Sequence, residues 1–283
     1  MEKLYSPLRY PGGKIKLVPF FKKLLEENLL RGTTYIEPFA GGANVALSLL
    51  IEKYVSKIII NDIDKSIFAF WSSILHQTDA FISKIHDCNI SLEEWKKQKE
   101  ILNHPTDYSE LDLGFSAFFL NRTNFSGVIK AGPIGGFSQK GTYKLDARFN
   151  KQNLIAKIKL IAAYKKDITV TCQDALSIVD SLVNKTNCLI YLDPPYYMQG
   201  KRLYMNFYQH ENHAQLADHI KELKMPLIIT YDNVAPIKEL YQNLETKEFI
   251  INYSAKNHTA ASEVMFLNNL PIRSRHFLQA LHY

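Results

Sequence analysis

The apolar run Cys188–Leu192 is followed at once by Asp193, two prolines and Tyr196. A short uninterrupted apolar run predicts a buried central strand, and the prolines end it because neither has an N–H for the sheet. Since proline also restricts φ, the backbone beyond Asp193 is stiff. We therefore expect a carboxylate, a carbonyl and an aromatic ring at the carboxyl end of a central strand.

This corner has the groups needed to bind a flat ring that carries an NH₂ group. Such an amine is a weak nucleophile because its lone pair is delocalised into the ring. The Asp193 carboxylate and the Pro194 carbonyl can accept its two N–H bonds and aim the lone pair at a methyl donor. Tyr196 would stack on the ring, and Pro195 completes the corner. Taken alone, the tetrapeptide is equally well explained as a turn that ends a strand.

A second pattern near the N-terminus predicts an adenosine site. A strand at 34–39 precedes the loop Ala40-Gly41-Gly42, and a helix at 43–52 and a strand at 57–61 lead to Asp62. Glycines allow the backbone to approach a ligand, and an acid at the second strand's end can accept both ribose hydroxyls. The spacing lacks a complete G-x-G-x-x-G, which disfavours hydride-transfer cofactors.

The remaining elements predict an α/β fold. Further strands are expected at 168–171, 188–192, 226–230, 249–251 and 264–267, and helical stretches at 65–112 and 151–165. We predict a Rossmann-like, doubly wound, mostly parallel sheet interrupted by a smaller, largely helical insertion. The predicted domains are 1–64 with 166–283, and 65–165.

Bulk composition is compatible with a soluble, cytoplasmic protein. The 283 residues are 46% hydrophobic, enough for one large domain plus an insertion, and no apolar stretch approaches a membrane span. Cys88, Cys172 and Cys188 are far apart without metal-ligand spacing, so we expect reduced, structural thiols and no metal.

The positive charge is concentrated in one segment. Between Gly114 and Lys166 there are ten basic residues and one acid, Asp146, which gives this segment a net charge of +9. Because the whole chain has a net charge of +6, the rest of the chain carries −3. Such segregation indicates a surface that lies against phosphates. Each single lysine is equally well explained as a solvated surface charge.

A third motif precedes the first helix. In Arg9-Tyr10-Pro11-Gly12-Gly13-Lys14 a Pro-Gly-Gly turn places an ammonium at a helix start. Backbone amides and an ammonium make a site for an anion such as a carboxylate. Alone, the motif is an ordinary N-terminal turn.

These motifs resemble the adenine-specific DNA methyltransferases of the Dam type, group alpha. Their order along the chain is Arg9–Lys14, Glu37–Gly42, Asn61-Asp62, a variable insertion and Asp193–Tyr196. The resemblance extends from Leu8 to Leu267. In that family a target-recognition segment lies between the cofactor half and the Asp-Pro-Pro-Tyr half, where the basic insertion lies here. The resemblance implies S-adenosylmethionine as cofactor and double-stranded DNA as partner, with base flipping, and leaves the oligomeric state open.

The resemblance also implies roles for residues. Tyr10 and Lys14 would hold the methionine end of the cofactor and Asp62 its ribose. Asp174 would bind its adenine amine, although a lone Asp there is more often a helix cap. The cofactor cleft would be lined by Glu37, Phe39, Ala40, Gly41 and Gly42, with Asp193 at its edge. Aromatic residues after the catalytic loop would cover the base and the methionine moiety: Tyr204, Phe207 and Tyr208, with His213 in the helix beyond.

For DNA contacts we single out the segment 121–127. Arg122 and Asn124 can bind guanine and adenine edges, and Phe125 is a candidate wedge. Downstream, residues 132–148 are expected to form a hairpin along the duplex. It would place further contacts at Lys130, Lys140, Tyr143, Lys144 and Arg148.

Our hypothesis is therefore a site-specific adenine-N6 DNA methyltransferase of the kind found in restriction-modification systems. Two alternatives stay open from the sequence. One is methylation of another amine, in cytosine, RNA or a glutamine side chain. The other is a DNA-binding or cofactor-sensing module without activity. The recognition sequence and the biological setting do not follow from the sequence.

Overall fold

The computed structural model describes residues 2–10, 13–182, 185–198, 208–252 and 260–270. They divide into two units. The first comprises the described residues of Met1–Leu4, Lys14–Ile63 and Asp167–Tyr283, and the second those of Tyr5–Gly13 and Asp64–Lys166. The units divide between Ile63 and Asp64 and between Lys166 and Asp167, and the predicted domains 1–64 with 166–283, and 65–165, stay a prediction.

Residues 5–13 differ from the sequence prediction, which assigned them to the first domain. They belong with the second unit because the Asn121 side chain holds the backbone of Arg9. Its Oδ1 accepts from the Arg9 N–H at 2.7 Å, and its Nδ2 donates to the Arg9 carbonyl at 3.1 Å. Two bonds across 112 residues tie the segment to the helix that carries Asn121.

The first unit contains a seven-stranded sheet in the order β3-β2-β1-β4-β5-β7-β6. Neighbours among β1 to β5 are parallel, whereas β7 pairs antiparallel with both β5 and β6. The mostly parallel, doubly wound prediction is confirmed. The strands are β1 Thr34–Glu37, β2 Lys57–Asn61, β3 Ile168–Thr171, β4 Cys188–Leu192, β5 Leu227–Asp232, β6 Glu245–Asn252 and β7 Ala260–Asn268.

The strand order reverses between β1 and β4. From β1 the chain winds outward to β2 and β3, and from β4 it winds the other way to β5. Parallel sheets bind ligands beyond the carboxyl ends of their strands at such a point. All five residues of β4 are buried, as its unbroken apolar run predicts.

One helix of the first unit precedes β1, and the others connect successive strands. They are α1 Val18–Glu27, α2 Asn44–Ile51, α8 Ala175–Ser181, α9 His210–Lys221 and α10 Ala235–Leu240. In the portion of the chain that the structure describes, every helix is too short or too polar to cross a membrane. Cys88, Cys172 and Cys188 are free thiols, as predicted.

The last two strands are longer than their apolar centres suggest. β6 covers eight residues and β7 nine, where the sequence indicated three and four. Antiparallel strands alternate between a buried and a solvated face, so that polar residues continue the ladder beyond the apolar run. Eight residue pairs join β6 to β7, from Glu245↔Leu267 to Asn252↔Ala260.

The second unit is helical, as predicted. Its helices are α3 Lys65–His76, α4 Thr78–Asp87, α5 Leu92–Asn103, α6 Glu110–Thr123 and α7 Lys151–Ala162. Polar side chains cap the starts of several of them. Ser91 accepts from the Glu94 N–H, which confirms the helix signal at 91–95.

The aromatic core of the second unit lies between α3 and α6. Phe70 stacks on Phe118 with ring centroids 5.8 Å apart, and Phe81 packs edge-on against both. Gly114 allows this approach: a Cβ atom there would lie 2.5 Å from the carbonyl oxygen of Ala69. Because that neighbour is backbone, it cannot move aside by a rotamer change.

The predicted hairpin at 132–148 is wrong. This fully described segment contains no named strand, but turns, one isolated bridge between Asn124 and Pro133, and a 3-10 turn at Leu145–Arg148. The segment contains prolines and glycines at 132, 135, 136 and 141. These residues are common both in the turns of hairpins and in other turns, so they do not determine whether the flanking residues pair.

Replacing Gly114 with Ala should lower the free energy of unfolding by roughly 1–3 kcal/mol, since α3 and α6 must separate to admit the methyl group. Urea unfolding followed by circular dichroism measures this. Gly132→Ala is the matched control, because nothing lies within 4 Å of a Cβ there. Equal stabilities of the two variants would contradict the close approach of the helices.

Candidate active site

Acidic residues follow four neighbouring parallel strands at their carboxyl ends. Glu37 ends β1 and Asp193 follows β4, on the two sides of the switch point, and Asp62 and Asp174 follow β2 and β3. Burial, and next the charge of Asp193, raise the pKa of Glu37 well above its ordinary value. The Oε2 atom of Glu37 is buried and has no hydrogen-bond partner within the described residues. The sheet thus gathers the predicted acids at one edge.

The Asp193 carboxylate is held by two neighbours. The Lys14 ammonium donates to both of its oxygens at 2.9 Å, and the Thr230 hydroxyl donates to Oδ1 at 2.8 Å. Tyr191 supports Thr230 through a hydroxyl contact of 2.8 Å. The side chain of Asp193 is 18% exposed, so the anchored carboxylate still reaches the surface of its unit.

The Tyr196 side chain is held in place through its hydroxyl group. Its hydroxyl accepts from Lys14 at 2.6 Å and donates to Glu263 Oε1 at 2.5 Å, and the Lys14 ammonium lies 4.9 Å from its ring centroid. The residue is only 7% exposed. Stacking of a base on this ring stays a prediction, and the structure adds an anchoring role.

Two further acids belong to this arrangement, and the sequence analysis missed one of them, Glu263. Glu263 is fully buried in β7 and lies 3.9 Å from the Lys14 ammonium. Asp232, at the end of β5, accepts from the N–H groups of Tyr197 and Met198, both at 3.0 Å. Its carboxylate therefore holds the loop directly after the two prolines. The available signal was an acid at a strand end, shared by Asp232 and Asp193.

The glycine loop has the backbone conformation that its composition predicts. Gly41 has a φ of 44°, and Ala43, before α2, is also left-handed at 47°. The Gly41 N–H donates to Asp62 Oδ2 at 3.0 Å. Asn61 links three strand ends: its amide donates to the carbonyls of Pro38 and Gln173, and its oxygen accepts from Thr171. Ala40 and Gly42 are buried in the same loop.

Phe39 and Asp174 lie beside an aromatic cluster. The Phe39 ring packs edge-on against Tyr208 at 5.7 Å. Burial and then the charge of Asp174 raise the pKa of Tyr208 above its ordinary range. Asp174 also caps α8 by accepting from the Leu176 N–H, which is the alternative role considered for it. Tyr204 and Phe207 lie outside the described residues.

His213 is buried in this cluster, in the first turn of α9. Its ring lies 5.3–5.4 Å from those of Tyr197, Tyr208 and Tyr231, and Nδ1 is 3.0 Å from the Tyr231 hydroxyl. Nε2 is buried without a partner among the described residues. Burial, and then His210, lower the pKa of His213 to about 4, so the ring is neutral near pH 7.

The N-terminal motif is divided between the units. Lys14 belongs to the first unit and Tyr10 to the second, while Pro11 and Gly12 lie outside the described residues. The ammonium of Lys14 is bonded to Asp193 and Tyr196, partners that the sequence did not predict. A cofactor role for Tyr10 and Lys14 stays a prediction. No group of three or more His, Cys, Asp or Glu in the described ranges is placed to hold a metal ion.

Among the predicted DNA contacts, Asn124 is wrong. It is fully buried, its Oδ1 accepts from the Trp95 indole at 2.6 Å, and its Nδ2 donates to the carbonyls of Val128 and Ile129. Its amide is therefore committed to holding the turn after α6. An Asn that follows a helix can either hold a turn or contact DNA, and only its burial distinguishes these two roles.

The other predicted DNA contacts differ in their exposure. Arg122 donates from Nε and Nη2 to the carbonyl of Arg148, so a two-pronged base contact would require that bond to break. Phe125 and Tyr143 are 62% and 64% exposed. Among the predicted contacts, the basic side chains that are exposed are Lys130, Lys140, Lys144 and Arg148.

His213 should make the protein sensitive to acid. Because its folded pKa lies below that of the unfolded chain, the unfolded state binds more protons and stability falls as the pH drops from 6.5 toward 4. Between pH 7.5 and 5.0 the wild type should lose about 2 kcal/mol more unfolding free energy than His213→Phe. Urea titrations at both pH values measure this. An identical pH dependence of the two proteins would contradict a buried neutral ring.

This chain is similar to one protein family and to several named proteins. Residues 10–259 match the model of the D12 class N6 adenine-specific DNA methyltransferases. The type II methyltransferase M.MjaIII of Methanocaldococcus jannaschii is 30% identical over 202 residues, which cover 67% of this chain and 68% of that protein.

Two further relatives match over most of their length. The type II methyltransferase M.CviBI of Paramecium bursaria Chlorella virus NC1A is 23% identical, over 89% of this chain and 92% of its own. The DNA adenine methylase of Salmonella typhi is 21% identical, over 86% of each chain. Placement in group alpha stays a prediction. With the anchored Asp-Pro-Pro-Tyr corner at the switch point, these matches show that the chain belongs to the D12 class of N6 adenine-specific DNA methyltransferases.

Proposed function

We propose that this enzyme rotates an adenine out of duplex DNA and methylates its N6 atom in one direct displacement. The observation that carries this proposal is the Asp193 carboxylate, held at the end of β4 by Lys14 and Thr230 and still partly exposed. An oxygen acceptor held in this way can orient an amine without reorganising during the reaction. Family membership supports the substrate.

Asp193 acts as an acceptor rather than as a strong base. Its carboxylate and the Pro194 carbonyl accept the two N6–H bonds, which draws the nitrogen toward tetrahedral geometry. The proton needs to leave only as the nitrogen becomes cationic, when even a weak base suffices. The Lys14 ammonium fixes both carboxylate oxygens in place through its two hydrogen bonds.

The edge of the first unit fits S-adenosylmethionine. The positive-φ glycine loop, the acid after β2 and the buried, unpartnered Glu37 Oε2 together offer close backbone approach and acceptors for hydroxyl and ammonium groups. When bound, the cofactor supplies an electrophilic methyl group on a sulfonium. The residues of the first unit that would hold it are Lys14, Glu37, Phe39, Ala40, Gly41, Gly42, Asp62 and Asp174.

Supporting groups keep the catalytic corner in place. Asp232 accepts two hydrogen bonds from backbone N–H groups after the prolines, and Glu263 holds Tyr196 by accepting a hydrogen bond from its hydroxyl. Neutral His213 adds no charge beside the aromatic cluster. We propose these as positioning roles, because each contact is to another protein group.

Replacing Asp193 with Ala should lower methyl transfer at least about 100-fold, since one of two amine acceptors is lost. Nucleoside mass spectrometry of DNA incubated with the protein and S-adenosylmethionine measures it. Asp218→Asn, at an exposed position of α9, is the control and should retain activity. Wild-type turnover by Asp193→Ala, with folding verified by circular dichroism, would overturn the mechanism.

The same experiment tests the substrate. We expect N6-methyladenine in DNA from the wild-type reaction. Detection of 4-methylcytosine alone, or methylation of RNA alone, would replace adenine in DNA by another amine substrate. DNA binding without transfer to any of a varied set of duplexes would indicate an inactive module.

Replacing Asp232 with Ala should lower kcat roughly 10- to 100-fold. The backbone N–H groups of the loop after Pro195 would lose the two carboxylate oxygens that accept from them, so that the corner becomes less well oriented. Asp232→Asn retains one acceptor oxygen and should give an intermediate value. Single-turnover methyl transfer, with binding of S-adenosylhomocysteine measured by calorimetry, separates chemistry from binding. An unchanged kcat in Asp232→Ala would show that the loop needs no such anchor.

A further inference from the structure

Four cations of the second unit lie close together without an acid. Beyond the effect of burial, the charge of Arg148 lowers the pKa of Arg9, and the charges of Arg9 and Arg148 lower the pKa of Arg122. The charge of Arg122 in turn lowers the pKa of Lys157. None of the ion pairs within 4.0 Å in the described part of the chain includes any of the four. Like charges held together without a counter-ion are unfavourable, and such clusters in proteins commonly bind anions.

Arg122 is held in one orientation. Its Nε and Nη2 atoms donate to the carbonyl of Arg148, which joins the last turn of α6 to the end of the 3-10 turn Leu145–Arg148. Nη1 makes no hydrogen bond within the described residues. Burial first, and then Arg9 and Arg148, lower the pKa of Arg122 to about 10, so it still carries its charge near neutral pH.

Arg9 is also fixed from its backbone. The buried Asn121 amide binds both its N–H and its carbonyl, and donates to the Gly127 carbonyl at 2.8 Å. Gly127 has a φ of 76°, and a Cβ atom there would lie 2.0 Å from the Arg9 carbonyl oxygen. No residue larger than glycine fits. The backbone of Arg9 is thus held against the turn that follows α6.

The guanidinium of Arg9 has one nitrogen whose hydrogen-bonding partner is unexplained. Its Nη1 atom is buried and has no hydrogen-bond acceptor among the described residues. A buried charged donor without an acceptor is costly, and native structures retain few of them without a ligand or ion. Arg148, by contrast, is exposed, and its guanidinium lies 5.7 Å from the Tyr143 ring centroid. The cluster therefore extends from a buried donor to the surface.

We propose that Arg9, Arg122 and Arg148 form a binding site for one phosphodiester group of the DNA. Arginine donors match the oxygens of a phosphate, and the missing acid leaves the charge uncompensated until an anion binds. Such a contact positions the duplex and carries no sequence information. This inference rests on the proposed function, which supplies DNA as the polyanion. It also gives Arg122 a phosphate contact in place of the base contact that the sequence predicts.

Arg9→Gln tests the site. Binding of a fluorescently labelled duplex, followed by anisotropy over a range of salt concentrations, gives the slope of log Kd against log salt. One lost phosphate contact should reduce that slope by about 0.9 and raise Kd about tenfold at low salt. Lys97→Gln, which removes an exposed charge in α5, is the matched control and should leave the slope nearly unchanged. Arg9→Lys should restore part of the slope.

Thermal unfolding distinguishes a binding site from a structural role. Because Arg9→Gln removes a half-buried charge that has no ion-pair partner among the described residues, its Tm should equal or exceed that of the wild type. A lower Tm with an unchanged salt slope would overturn the proposal. If the wild type forms N6-methyladenine while Arg9→Gln and Lys97→Gln bind DNA alike, the phosphate site is wrong and the methylation function stands. If the wild type forms none, the function itself fails.

Discussion

The ion pair between Lys14 and Asp193 determines how the chemical corner of this molecule is arranged. A carboxylate that has lost most of its water must be balanced by a cation and by hydrogen bonds, and Lys14 and Thr230 provide both. Lys14 is itself buried and also contacts Tyr196, which is tied to Glu263. Buried ion pairs contribute little net stability and are costly to break. The value of this one lies in presenting a charged acceptor at a defined position.

The sheet topology explains why these residues meet. Asp193 follows β4, Thr230 and Asp232 lie at the end of β5, and Glu263 lies opposite Asp232 in the antiparallel pairing of β5 with β7. The first three positions were predictable, because parallel strands align their carboxyl ends and each strand is marked by an apolar run. Glu263 was not predictable in this way, since its place depends on the register of an antiparallel strand nearly seventy residues beyond Asp193.

The second unit shows where sequence patterns are insufficient. Its helices follow from caps and apolar periodicity, as at Ser91. The segment after α6 does not: glycines and prolines there indicate turns of any kind, and the predicted hairpin is absent from 132–148. Asn124 and Arg122 appear as polar groups suited to base edges, yet tertiary contacts take up the first entirely and the second in part. Local composition indicates the chemical groups present but not which partner each one finds.

The account depends on the Asp193 carboxylate receiving a hydrogen bond from the target amine. The most direct test is a crystal structure with S-adenosylhomocysteine and a duplex that carries the site identified by sequencing of modified bases. We predict an extrahelical adenine whose N6 lies about 3 Å from an Asp193 oxygen and from the Pro194 carbonyl. An extrahelical base whose amine contacts neither oxygen, with Asp193 engaged only by Lys14 and Thr230, would contradict the account.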